Sequence, residues 1–464
     1  MLKKDSFRWL LDIEMNSNLW EYNIDNTYLW PLMRPEIFWS IISYNKGYLQ
    51  PHAGGKLFKL FNFVFLREFM KTYKFFRFNN RNYNSIFFTT EALHVRDEKT
   101  KKFYDRLYSP YYKLFKSQLI FSNSFRFQVS RPSEYEKNLF LADYINIMAS
   151  IKSHFFKSNI QKDDISNFCQ EIQKIFSSSL SNKLSTSLYG DLSKIQYYKS
   201  YIDNIITRMD GNIVFIHCAS YLGITGEITR RFKEYGIKTI EVQHGYVGPE
   251  DYAYNYPESN KAQIIKQYLP DYFLTFGQYW GEQIRTPSRV VPVGNPTLNN
   301  FINVSQKETF IKPKTILVVS QGTVTYKMVR ITKYLSQKLP NYTIIFKLHP
   351  GEVPFTYRYE DLMKYSNVQI KTYDNIYSLI ATSEIIVGYN STTLFESVAF
   401  SGKRIFILNN DFIPDSLGYK FSSCQELCDA ILDGESGYPS APPSYFWEPN
   451  WEEKISSFLN RLSL

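Results

Sequence analysis

The sequence predicts an α/β protein built from two doubly wound domains in series. Three observations carry this. At 464 residues the chain exceeds what one ordinary core organises. From residue 80 onward, short apolar runs alternate with amphipathic helical stretches, the pattern of a parallel sheet covered on both faces. The alternation then stops at the polar stretch "GNPTLNNFINVSQKETFIKPK" and restarts beyond it.

In the first domain "SIFFTT" (85–90) and "SQLIFS" (117–122) are the expected opening strands, followed by a long helical region over about 134–205. "NIVFIHC" (212–218), a helix through "GEITRRFKEYG", "KTIEVQH" (238–244), "DYFLTF" (271–276) and "RVVPVG" (289–294) complete it. The second domain opens with "TILVVS" (315–320), a turn at "QGT" and the helix "VTYKMVRITKYLSQKL". "YTIIFKLH", "VQIKTY", "EIIVGYN" and "KRIFILN" follow as strands with helices between them. A proline-rich connector leads to a last helix over 451–462, free to cross back. The expected divisions are an aromatic, basic and irregular extension packing on or near the first domain (1–80), a first Rossmann-like domain (81–298), a second (299–435), and the connector with its helix (436–464).

Composition narrows the partners. Hydrophobic residues at 44% and charged residues at 21% fit a folded protein, and no window is long and apolar enough to span a bilayer. The start "MLKKDSFRWLLDIEMNSNLW" carries acids within its apolar run and does not read as a signal peptide, so the expected location is cytoplasmic. A net charge of +10 favours anionic partners. No Lys/Arg block stands out, which excludes nucleic acid as the preferred one. Residues 55–78, "GKLFKLFNFVFLREFMKTYKFFRF", mix Phe with Lys and Arg. As a helix the segment either lies on an anionic membrane surface or packs its Phe face on the domain. Cys424 and Cys428 share a helix face, where packing is expected rather than a metal or redox pair.

Ligands of doubly wound sheets bind beyond the carboxyl ends of the strands, where helix N-termini present free N–H groups. Ser320, Gln321, Gly322 and Thr323 form such a turn, with a glycine that lets backbone approach a phosphate. In "FKLHPGE", His349 ends a strand, Pro350 stops the ladder, and Lys347 projects from the same strand face. In "GYNSTTLFESVAFSGK", Ser391 and Thr392 open a helix, either as its cap or as phosphate ligands. Glu396 lies one turn on, placed to accept from ribose hydroxyls. In the first domain His244 ends a strand at "EVQHG", with Glu250 and Asp251 on the loop that follows. Any of the three could take a proton from an attacking sugar hydroxyl. His217, at "FIHC", is expected to be a packed histidine.

The ordered set "TIEVQHGYVG…YAYNYP…PDYFLTFGQYW…VVPVGNP", "FKLHPGE" and "SEIIVGYNSTTLFESVAFSGK" resembles bacterial surface-polysaccharide glycosyltransferases of the GT-B fold, over about residues 205–410. These are capsule and lipopolysaccharide assembly enzymes. More distantly the chain is similar to teichoic-acid glycerophosphotransferases, capsular Kdo transferases and bacterial polysialyltransferases. The resemblance implies two Rossmann-like domains facing across a cleft. It also implies a nucleotide-sugar donor, cytidine- or uridine-based, and a glycan or lipid-linked glycan acceptor at the inner membrane face. His349-Pro350 matches the His-Pro motif that contacts donor phosphate, and Ser391-Thr392 the serine motif that holds it. His244-Gly245 matches the acceptor-side pair proposed as base. The acidic-acidic-glycine motif of the sialyltransferases is missing: Tyr252 follows Glu250-Asp251. No metal-binding DxD is found, so no metal and no cofactor are expected. Two competing functions use the same architecture: a non-hydrolysing nucleotide-sugar epimerase and a non-catalytic assembly factor.

Overall fold

A computed structural model describes residues 3–46, 63–124, 127–156, 160, 165–175, 178–257, 262–305, 311–322 and 324–462. The chain divides into two compact units, each organised by one parallel sheet.

The first unit comprises residues 1–243, 249–274 and 284–291. Its strands are β1 (Tyr83–Thr90), β2 (Gln118–Asn123), β3 (Leu139–Leu141), β4 (Met209–Ile216), β5 (Lys238–Val242), β6 (Tyr272–Thr275) and β7 (Arg289–Pro292). They lie in the order β3-β2-β1-β4-β5-β6-β7, and the pairings from β3 through β6 are parallel. This is the Rossmann order, in which the chain reverses direction across the sheet between β1 and β4. Strand cores such as Ile86, Phe121 and Val214 are fully buried, because helices cover both faces.

Three expectations for this unit are corrected. The N-terminal extension is not irregular: it forms helices Lys3–Asn16 and Leu29–Lys46, joined by a short hairpin. In Leu29–Lys46 an internal Pro35 and apolar residues spread around the helix hide its period. The region 134–205 holds the short strand β3 before helices Asp143–Phe155, Ser166–Ile175 and Ser178–Ile206. Three residues are too few to show an alternation. The strand expected over 238–244 stops at Val242, leaving His244 two residues past the ladder. Of the 55–78 segment, Phe63–Phe78 is helical, and residues 55–62 lie outside the described residues.

The second unit comprises residues 244–248, 275–283 and 292–464. Its strands are β8 (Lys312–Val319), β9 (Thr343–Lys347), β10 (Val368–Lys371), β11 (Ser383–Gly388), β12 (Arg404–Leu408) and β13 (Tyr419–Phe421). Their order, β10-β9-β8-β11-β12-β13, repeats the same Rossmann arrangement, and every pairing is parallel. Cys428 is buried and Cys424 half-buried against this core, which is the packing role expected of them.

The units do not part at one point near 299: segments 244–248 and 275–283, which precede it, lie in the second unit with the run from 436 onward, and the described residues before 81 lie in the first. The reason lies in contacts made by short interior segments. Trp280 donates through its indole N–H to the carbonyl of Phe446 at 2.9 Å, and Glu448 N–H donates to Phe276 at 2.7 Å. Gly277 makes this approach possible, since a Cβ there would stand 2.4 Å from the backbone of Phe446. Tyr246 donates to the carbonyl of Phe412 at 3.1 Å and so ties 244–248 to the same unit.

Candidate functional site

In the second unit the direction reversal falls between β8 and β11, so a ligand site is expected at their carboxyl ends. Most of the residues singled out in this half of the sequence sit at that edge. Ser320 follows β8, is buried, and is anchored through its N–H to the carbonyl of Lys347 at 2.9 Å. Its side chain lies beside the Tyr359 hydroxyl. Gln321 and Gly322 complete the turn, and Thr323 lies outside the described residues. The helix Thr325–Lys338 starts directly after it, and its N-cap residue, Val324, supplies no side-chain acceptor. A fourteen-residue helix thus opens at the sheet edge, and among the described residues no side chain caps its first N–H groups.

His349 is exposed at the end of the next strand over, where its ring closes a hydrogen-bonded turn. Its Nδ1 accepts from Gly351 N–H at 3.1 Å, which places the ring proton on Nε2. The histidine therefore presents a donor, the form suited to a phosphate oxygen. Lys347 is buried and its ammonium is directed to backbone, donating to the carbonyls of Leu348 at 3.0 Å and Thr372 at 2.6 Å.

Across β8, Ser391 is the N-cap of Thr392–Ser397, its hydroxyl accepting from Thr393 N–H at 3.2 Å. Thr392 is half-buried as the first residue of that helix. Glu396 is buried and accepts from the Tyr377 hydroxyl at 3.1 Å.

Two residues not singled out from the sequence belong to this edge. Asn390 directly precedes the Ser391 cap. Among the described residues, its side-chain oxygen and that of Gln321 are buried without a hydrogen-bond partner. They flank the reversal point, one after β8 and one after β11. Each such acceptor costs about 1–3 kcal/mol if nothing bonds it. Glu352 is the second. Buried, it accepts from the Thr325 hydroxyl at 2.8 Å, from His349 N–H at 3.2 Å and from the Tyr359 hydroxyl. It joins the His-Pro turn to the uncapped helix. The glutamate three residues after His349 was the available signal, because it completes a capping box.

The residues around "EVQHG" divide differently. His244, half-buried, lies in the 244–248 segment of the second unit, whereas Glu250 and Asp251 belong to the first. Asp251 caps its own loop, accepting from Ala253 N–H at 3.1 Å. Deeper in the first unit, Glu241 is fully buried and accepts from Ser220 N–H at 2.8 Å, the Ser220 hydroxyl at 2.5 Å and the Tyr254 hydroxyl at 2.8 Å. Burial outweighs these donors and pushes its carboxyl up to about 7. His217 is half-buried, with its Nε2 3.2 Å from Cys218 Sγ. Both line a cavity of about 470 Å³ at the first sheet's own reversal point, with Thr90, Asn123, Asn146 and Tyr198.

No family model matches the chain, and no curated protein matches it by sequence. Among solved structures it is similar to UDP-GlcNAc 2-epimerase from Neisseria meningitidis bound to UDP-GlcNAc. That likeness has 13% identity and a TM-score of 0.47, over 82% of this chain and 100% of that one. It is also similar to Alr3699/HepE of Anabaena in complex with UDP, at 10% identity and a TM-score of 0.40, over 82% and 100%. MurG of Acinetobacter baumannii is a third, at 9% identity and a TM-score of 0.42, over 82% and 99%.

Proposed function

We propose that this protein is a glycosyltransferase that moves a sugar from a nucleotide-activated donor to a growing bacterial surface glycan, capsule or lipopolysaccharide O-antigen. The observation that carries the reading is the pairing of opposite demands at one sheet edge. Gln321 and Asn390 offer buried acceptors that require hydroxyl or N–H donors. The Thr325–Lys338 N-terminus and the Nε2 proton of His349 favour an anion. A nucleoside diphosphate sugar supplies both kinds of group in one molecule.

On this reading Ser320, Gln321, Gly322, Thr323, Lys347, His349, Ser391, Thr392 and Glu396 form or support the donor site. The acceptor hydroxyl attacks the anomeric carbon, the bond from that carbon to the diphosphate oxygen breaks, and the diphosphate leaves with the electron pair. The hydroxyl proton passes to His244, with Glu250 or Asp251 as the alternative base. Charge building on the leaving diphosphate is met by fixed dipoles and His349, a role that calls for no metal ion and no cofactor.

A thermal-shift screen against CMP, CDP, UDP, GDP and dTDP tests the donor assignment, since a ligand of the native state raises its apparent stability. A cytidine or uridine nucleotide is expected to raise the unfolding midpoint, and His349→Ala to remove most of that rise while His244→Ala keeps it. No shift with any nucleotide would overturn the reading. Incubation with donor alone separates the epimerase, which would convert the sugar without an acceptor.

A further inference from the structure

The Phe63–Phe78 helix lays Phe65, Glu68, Thr72 and Phe75 against the first unit. Its opposite face is unusual in content. Phe63 is 80% exposed, Leu66 and Met70 51% each, Tyr73 42% and Phe78 70%. At 3.6 residues per turn, Phe63, Leu66, Met70 and Tyr73 fall within about 80° of arc and form one stripe. The other exposed side chains on the helix are Arg67, Lys74 and Arg77, all cations. Its one acid, Glu68, is turned inward and bonded by Arg67 at 2.9 Å. Arg67 and Lys71 are partly engaged by Glu68 and Glu136, which leaves Lys74 and Arg77 as the charges beside the stripe.

The surrounding sequence has the same bias. Between Ile37 and Thr90 the only acid is Glu68, against the cations Lys46, Lys56, Lys59, Arg67, Lys71, Lys74, Arg77 and Arg81. We infer that the exposed face of Phe63–Phe78 docks on an anionic lipid bilayer. The apolar stripe enters the headgroup–acyl boundary, while Lys74 and Arg77 reach lipid phosphates with their stems along the apolar zone. Charge decides the occupant. A second copy of this helix would set cation against cation, and residues 47–62 carry Lys56 and Lys59 with no acid to answer Lys74 and Arg77. The inference is independent of the donor-site reading.

Co-sedimentation of the full chain with vesicles tests it, comparing phosphatidylcholine alone with phosphatidylcholine containing phosphatidylglycerol. Binding is expected on the anionic vesicles and is expected to weaken with added salt. The double substitution Leu66→Ser and Met70→Ser should lower the partition coefficient about tenfold. Lys74→Glu with Arg77→Glu should abolish the preference for phosphatidylglycerol. These side chains are exposed, so unchanged unfolding midpoints are expected; Phe63→Ser serves as the substitute for any variant that does not fold. Failure of the wild-type chain to bind anionic vesicles, or equal binding by wild type and variants, overturns the inference. A protein dimer dissociated by both double variants, with no lipid binding, also overturns it and assigns the face to a second copy.

Discussion

Arg34 and Asn255 stand 221 residues apart, yet Arg34 Nη2 donates to the Asn255 carbonyl at 3.0 Å in a fully buried setting. The same guanidinium bonds the Tyr252 carbonyl, pairs with buried Glu14, and lies 4.3 Å from the centre of the Tyr256 ring. The N-terminal helices therefore hold the loop that carries Asp251 from the inside. Replacing Arg34 alone takes the cation from a buried carboxylate and a donor from two buried carbonyls. Arg34→Met is expected to lower stability by about 3–5 kcal/mol in a denaturant titration. Adding Glu14→Gln should recover part of that loss, because the charge goes while Trp30 Nε1 keeps its acceptor, now bonded at 2.8 Å. Equal stability of the single and double variants would contradict the pairing.

Glu352 ties together residues of two neighbouring turns. Its bonds to the Thr325 hydroxyl and His349 N–H set the start of the uncapped helix relative to the histidine. Glu352→Ala strands three donors and is expected to cost about 1–3 kcal/mol of stability. Glu352→Gln retains one acceptor and should restore much of it. If Glu352 positions the site, nucleotide affinity will fall further in the Ala variant than the loss of folded fraction explains. Isothermal titration well below the unfolding midpoint measures this.

The buried Glu241 carboxyl makes stability depend on pH. Its folded value, about 7, lies above the ordinary 4.5, so the folded chain binds the extra proton. The stability it contributes is fully present below pH 4.5 and is lost as pH rises through 7, on the order of 3 kcal/mol over that window. Glu241→Gln can place its oxygen on Ser220 and its amide N–H on Tyr254. Chemical denaturation across this range should show the slope in the wild type and a smaller one in Glu241→Gln.

Much of the fold was legible because a strand buried on both faces needs an uninterrupted apolar run. "SIFFTT", "TILVVS" and "EIIVG" announce β1, β8 and β11 within two or three residues. The three-residue strands β3 and β13 are too short to stand out: Leu139–Leu141 is apolar for only three positions, and Lys420 interrupts the other. At the candidate edge, the positions of His349 past a strand and of Ser391 at a helix cap could be read because both leave local signatures. Asn390 and Glu352 were harder to find. One matters for a side-chain acceptor with no partner among the described residues, the other for its bond to Thr325, 27 residues upstream, and neither fact is local in sequence. The union of 244–248 and 275–283 with the C-terminal segment was illegible for the same reason.

That union bears on how the protein can be taken apart. A fragment beginning at residue 299 would lack Tyr246, Phe276, Gly277 and Trp280, and would bare the side chains of Phe395, Phe446 and Trp447 that these residues cover. A fragment ending at 298 would carry those same pieces with nothing to receive them. The sheet of the second unit is complete in sequence at Phe421, yet the unit also needs the later Phe446 and Trp447 turn, which meets a segment lying 166 residues earlier at Trp280. The working unit for expression, dissection or transplantation is thus the whole run of chain, not either sheet.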